Sequence, residues 1–207
     1  GSPAIAGLYN NLGNCLAEEG ALQAALNAYR EALRIFNQNR PIPHAGIARV
    51  YNNTGTACLE AGQAGAALDA FEQALRALQA GPNAGERAVY LKNKGLALEK
   101  LGRQDEAAAV FAEALAGAEM LDPAAQLEIR LAWASLLCRR QLAAGDHAAL
   151  NRTLPMLEQA LQFGDSLRNR LQAPGSRQHW LDQLRPALQL AMEACYRLWK
   201  TRPDTAL

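Results

Sequence analysis

Valine and isoleucine are scarce, eight together in 207 residues. β-Sheets draw heavily on β-branched side chains, so a sheet-based fold is excluded at the outset. No stretch of 18 apolar residues occurs, which leaves no membrane-spanning helix, and no signal peptide is legible at the start. Charge of either sign is also lacking in excess. Twenty-one Lys and Arg stand against twenty Asp and Glu, a net +1 with no basic block, so nucleic acid is not an expected partner. The four cysteines, Cys15, Cys58, Cys138 and Cys195, have no CxxC spacing. They read as small buried thiols in a reduced, cytoplasmic setting rather than a disulfide frame or zinc site.

What is present is alanine and leucine, 43 and 33 residues, both strong helix formers. The expectation is an all-α protein. Its helices repeat. Tyr9-Asn-Asn-Leu-Gly-Asn-Cys-Leu-Ala-Glu-Glu-Gly20 aligns with Tyr51-Asn-Asn-Thr-Gly-Thr-Ala-Cys-Leu-Glu-Ala-Gly62 and with Leu91-Lys-Asn-Lys-Gly-Leu-Ala-Leu-Glu-Lys-Leu-Gly102. Each is followed by a second motif: Ala25 to Leu33, Ala67 to Leu75 and Ala107 to Leu115, all of the form Ala, aromatic, Ala, Leu. A degraded fourth copy aligns through Gly145, with Leu137-Cys138 at the mid-helix glycine position. Its second motif, Leu157-Glu-Gln-Ala-Leu161, falls three residues late.

These residues make sense as helical hairpins. Gly13, Gly55 and Gly95 sit inside helical patterns, where glycine costs about 1 kcal/mol against alanine, so a facing helix must approach closely. The alanines of the second motif (Ala25, Ala67 and Ala107, then Ala32, Ala74 and Ala114) are the expected small partners. Tyr29, Phe71 and Phe111 are expected to fill the seam with the next hairpin. Gly20, Gly62 and Gly102 fall where the first helix must end, as left-handed C-terminal residues. Pro41, Pro43, Pro82 and Pro123 punctuate the links.

The pattern resembles the tetratricopeptide repeat (TPR) family, although the usual period is about 34 residues and the glycines here are 42 and 40 apart. It is similar to the long-helix branch seen in kinesin light chains, Pins-type polarity adaptors and many bacterial regulators. The resemblance covers residues 4–121 well and 124–171 weakly. It implies a right-handed α-solenoid of stacked antiparallel pairs and a non-enzymatic scaffold for a protein or peptide segment. The expected parts are a cloning remnant (1–2), repeats over 3–47, 48–87 and 88–130, a degenerate repeat over 131–173, and a capping or linker helix over 174–207.

Counting first helices from Ala6, Ala48 and Ala88, the positions that avoid the packing stripe line an inner wall. They are Gly7, Asn10, Asn11 and Asn14, then Arg49, Asn52, Asn53 and Thr56, then Val89, Lys92, Asn93 and Leu96. The sixth position is asparagine three times: Asn11, Asn53 and Asn93. A column of primary amides can hydrogen-bond an extended backbone without reading its side chains, and the resemblance implies the same use. The same amides could instead solvate a groove or bond a neighbouring helix. Leu136 breaks the column in the fourth copy. A carboxylate-clamp mode is disfavoured, because Asn10, Val89 and Asn93 stand where that mode places basic residues.

No catalytic set emerges. His44 lies in a Pro-flanked link, His147 beyond Gly145 and His179 near the start of the last helix, none paired with a nucleophile or at metal-ligand spacing. No cofactor is expected. From Gly175 the chain leaves the repeat. Trp180, Leu184, Leu188, Ala191, Cys195 and Leu198 mark one amphipathic helix, which Pro186 should kink or split and which should cover the fourth repeat. The stretches Asp165-Ser-Leu-Arg, Ser176-Arg-Gln-His-Trp-Leu and Ala194-Cys-Tyr-Arg-Leu-Trp resemble the region that joins the TPR array to the caspase-like domain of bacterial TPR–CHAT proteins. That resemblance implies the sensing part of a larger protein whose effector domain follows. The alternative function is a structural or oligomerisation module that meets a second copy without a peptide.

Overall fold

The computed structural model describes residues 2–78, 83–168 and 174–200. Among them are nine α-helices and no strand: α1 (Pro3–Glu18), α2 (Leu22–Asn37), α3 (His44–Glu60), α4 (Ala64–Leu78), α5 (Ala84–Lys100), α6 (Gln104–Gly117), α7 (Pro123–Ala144), α8 (His147–Arg168) and α9 (Pro174–Lys200). One 3-10 turn, Ala118–Met120, precedes α7. The fold is all-α and repetitive, as its composition demands. Each first helix opens three or four residues ahead of the alanine used to count it, and His44 is a helix-initial residue rather than part of a link.

The chain divides into two compact units, Gly1–Gly117 and Ala118–Leu207. In the first, α1 pairs with α2, α3 with α4 and α5 with α6, while α2 packs on α3 and α4 on α5. Helices α1, α3 and α5 also touch in succession. The second helices do not approach one another as closely, so the first helices form the inner wall of this unit.

Each pair is built on one contact. A Cβ added to Gly13 would stand 2.4 Å from Tyr29 Cε1; at Gly55 it would stand 2.5 Å from Phe71 Cε1, and at Gly95 2.7 Å from Phe111 Cε1. The rings therefore lie over the glycines of their own hairpins, and Tyr29 also faces the next hairpin, where it lines a cleft with Asn53, Thr56 and Glu60. The glycines are absent side chains that seat an aromatic face. Ala25, Ala32, Ala67, Ala74, Ala107 and Ala114 flank the rings, all at 0% exposure, and let the backbones close around them. Burying a ring of this size stabilises by roughly 1.5–3 kcal/mol.

The turns inside the pairs are equally uniform. Gly20, Gly62 and Gly102 have φ of 76°, 76° and 75°, the left-handed region where only glycine is unstrained. The Gly20 N–H donates to Ala17 O at 2.9 Å and the Ala21 N–H to Leu16 O at 2.8 Å. This crossed pair of bonds closes the helix end, and it recurs at Gly62-Gln63 and Gly102-Arg103.

The second unit joins α7, α8 and α9 around Leu127, Cys138, Leu150, Leu157, Leu184 and Ala194. Its hairpin keeps the template register. Cys138 stands at the glycine position, buried, and sixteen residues on, where the rings stand, is Leu154, also buried. The Ala positions become Leu150 and Leu157. Cys138 and Leu154 belong to one buried cluster, and the Cys138 thiol meets the hydroxyl of Thr153, next to Leu154 in sequence, at 3.9 Å. Asp122 caps α7 by accepting from the Ala124 and Ala125 N–H groups, at 2.9 and 3.1 Å.

Helix α9 runs unbroken through Pro186, so the expected split does not occur. Its buried stripe is Leu184, Ala187 and Ala194, with Leu184 against Gly164 of α8. Leu188 is 43% exposed and Cys195 is also exposed; both were expected to pack, and the stripe is rotated away from them. The Trp180 side chain lies outside the described residues. Of the thiols, Cys58 and Cys138 are buried as expected, whereas Cys15 is exposed.

The ring-on-glycine contact gives a direct test. Gly55→Ala should destabilise by roughly 1–3 kcal/mol, because a buried ring cannot move aside. Phe71→Leu should cost less in the Gly55→Ala background than in the wild type, reproducing the Cys138–Leu154 arrangement. A double-mutant cycle by urea denaturation measures that coupling.

Candidate functional site

The inner wall carries the amides picked out from sequence, but they are not a row of equals. Asn10 is 4% exposed and buried. Asn53 donates from Nδ2 to Asn10 Oδ1 at 3.0 Å, and Asn93 donates from Nδ2 to Asn52 Oδ1 at 2.8 Å. The sixth-position amide of each repeat thus reaches the fifth-position amide of the repeat before it. The expected column of Asn11, Asn53 and Asn93 becomes a cross-tied ladder between α1, α3 and α5, and Asn10 serves the packing there.

The signal was available in the Asn-Asn doublets at 10–11 and 52–53. Doublets on adjacent parallel helices place one amide beside the other. Each tie uses one N–H of a primary amide and one acceptor position. The second N–H and the oxygen of Asn53 and of Asn93 remain open to the groove. Asn11 and Arg49 are both exposed and outside the ladder. Thr56 and Lys92 are half-buried, and the Thr56 hydroxyl donates back to the Asn52 carbonyl at 3.2 Å.

A cleft of about 230 Å³ opens between α1 and α3, lined by Asn14, Glu18, Tyr29, Asn53, Thr56 and Glu60, with Ala17 and Ala57 as its apolar floor. Tyr29 donates its hydroxyl proton to Asn14 Oδ1 at 2.8 Å. The other two rings are phenylalanines, and the residues at the Asn14 position opposite them are Thr56 and Leu96. The side-chain amide at this position occurs only opposite the tyrosine, a pairing inside the chain that the sequence reading passed over. Burial, with Glu60 and Glu18 nearby, pushes the Tyr29 phenol up to about 12. Burial likewise lifts Tyr90 to about 12, against the opposing pull of Arg49. The cleft is acidic at its rim and neutral inside.

Among the described residues no cluster of His, Cys, Asp or Glu is placed to hold a metal ion, and no helix is long and apolar enough to cross a membrane.

Residues 4–80 match one tetratricopeptide-repeat family model and residues 90–116 match a second. The chain carries tetratricopeptide repeats. Among solved structures, BtubC (BKLC) from P. vanneervenii superposes with a TM-score of 0.75 at 19% identity, covering 96% of this chain and 76% of that one. A kinesin light chain-like protein of nearly identical TPR-like repeats from Podosopora anserina gives 0.67 at 16% identity, with 99% and 98% covered. YrrB, a TPR protein with an unusual peptide-binding site, gives 0.54 at 21%, with 95% and 86% covered. At these identities the likeness establishes the fold. No curated protein matches the sequence. TPR proteins are in general protein-interaction scaffolds without catalysis of their own, built on stacked pairs with an extended concave face.

In TPR terms the ladder ties the first helix of one repeat to the next, so its removal should be felt in stability. Asn53→Ala would leave the buried Asn10 oxygen without its donor, at about 1–3 kcal/mol, whereas Asn11→Ala should leave the urea midpoint unchanged. Tyr29 and Tyr90 supply a second test. Their folded pKa values lie above the ordinary phenol value of 10.0, so their contribution is complete below pH 10 and is lost as pH rises from there through about 12. Melting temperature should fall across that window, and less steeply in Tyr29→Phe; ultraviolet absorbance should show these phenols ionising last.

Proposed function

We propose that the inner wall of α1, α3 and α5 binds an extended segment of a partner protein. The observation that carries this is the 230 Å³ cleft beside amides whose ladder ties use only part of their hydrogen-bonding capacity. An extended backbone offers alternating N–H and C=O groups, which such amides satisfy without selecting side chains. Glu18 and Glu60 at the rim favour a segment with a basic side chain at that end. YrrB, a TPR protein with a peptide-binding site in its description, supports the reading by likeness of fold.

The regulatory reading is part of the same proposal. The bound segment belongs to an effector, either a separate protein or a further part of a longer chain. Its support is the resemblance of residues 165–199 to the joining region of TPR–CHAT proteins.

The test is a peptide-display selection against the chain, followed by titration of a recovered peptide. Asn11→Ala and Arg49→Ala are the informative variants, because neither residue belongs to the ladder and both are exposed. Each should weaken binding by a few-fold, about one neutral or charged hydrogen bond, with melting unchanged. Wild-type affinity in the combined variant would move the site off this wall.

A further inference from the structure

The first helix of each repeat ends on a charged residue at the same place: Glu18 in α1, Glu60 in α3 and Lys100 in α5. The carbonyl end of a helix carries partial negative charge and favours a cation. Only α5 complies. In α1 and α3 the last turn holds no basic residue, so each carboxylate sits where its own helix disfavours it. Among the described residues neither forms an ion pair or a hydrogen bond that would offset this.

Both carboxylates border the cleft between α1 and α3. The two hydroxyl protons there are already given to internal acceptors, Tyr29 to Asn14 Oδ1 and Thr56 to the Asn52 carbonyl. The strongest open groups are therefore the carboxylate oxygens, which suit a cation with several N–H donors. The corresponding place between α3 and α5 has Leu96 for Thr56 and Lys100 for Glu60. Its two charges are of opposite sign, and it makes no such demand.

The other end of the same face is basic. Arg49, Asn53, Thr56 and Glu60 follow at steps of four, three and four residues, one line along α3. Asn53, Thr56 and Glu60 line the cleft, and the exposed Arg49 extends the line beyond it. That end lies toward the helix N-terminus, whose partial charge is positive, so side chains and helix dipole point the same way. Arg49 stands eleven residues before Glu60, roughly 16 Å along a helix axis. An extended chain covers that distance in about five residues.

We propose that the segment bound by the inner wall is dipolar and lies along α3, one arginine or lysine side chain between Glu18 and Glu60 and an aspartate or glutamate about five residues away at Arg49. This rests on the peptide-binding reading and adds to it an axis and a charge pattern that fixes the register. The basic side chain supplies the cation that the ends of α1 and α3 lack.

The experiment selects displayed random peptides on the full chain and titrates a recovered peptide by fluorescence anisotropy. The recovered sequences should pair a basic with an acidic residue about five apart. Glu18→Gln with Glu60→Gln should weaken binding by about tenfold or more, the scale of charged hydrogen bonds. The same variant should melt no lower than the wild type, since two disfavoured charges are removed. Glu18→Lys with Glu60→Lys should lose the recovered peptide and bind its variant in which glutamate replaces the basic residue. A lower melting temperature in the Gln variant overturns the proposal, because the carboxylates then serve the fold. Recovered peptides without the charge pair, or wild-type affinity in the Gln variant, overturn it too. If Asn11→Ala still weakens those peptides, the wall remains the binding site and only the charge pattern falls. A selection that recovers no peptide removes both readings.

Discussion

Everything regular in the first unit depends on an aromatic ring resting on a backbone that has no Cβ. The approach is below 3 Å for a Cβ at Gly13, Gly55 and Gly95, so no other residue fits without displacing a ring that has nowhere to go. Close approach fixes the distance between the two helices of a pair. That distance fixes which face of the first helix looks inward, and so which asparagines line the wall. The inner wall is in this sense a by-product of three missing methyl groups. In the second unit Cys138 and Leu154, both buried, stand at the positions of the glycine and the ring.

The all-α class, the pairing and the left-handed turns were legible because each rests on local chemistry. Alanine with leucine makes helix, and glycine ends it where φ must be positive. Repetition then amplifies a weak signal, since a mid-helix glycine seen three times at one offset is not chance. What the sequence could not show was which neighbour a side chain meets. The seat of each ring on the glycine of its own hairpin was not foreseen, because an aromatic between two alanines is equally suited to either face of its helix. The α9 stripe was misjudged for a related reason: Leu188 and Leu184 are both one turn apart and apolar, and only the position of α8 decides which is buried.

The amide wall shows the same limit more sharply. Of the three asparagines in register, Asn53 and Asn93 meet other asparagines, and Asn11 stands outside those ties. A side-chain amide is donor and acceptor at once, so a column of them satisfies itself before it satisfies a ligand. This changes what Asn53 and Asn93 report. They couple neighbouring repeats, and a ligand that drew on them would also bear on the spacing of the helices beneath. Asn11 and Arg49 are the exposed residues of the wall that take no part in these ties.

The turns that close α1, α3 and α5 are made only of backbone. Around Gly20, Gly62 and Gly102 the preceding residues are Glu19, Ala61 and Leu101, and the following ones Ala21, Gln63 and Arg103, with no shared size, charge or polarity. The hydrogen bonds that hold these corners involve none of those side chains. Two of the corners, at Ala21 and Gln63, are therefore handles on an otherwise fully determined hairpin, while Arg103 at the third is ion-paired to Glu106. A fluorophore or spin label placed there would report on the spacing between repeats while touching neither the rings that set it nor the amides that read it out.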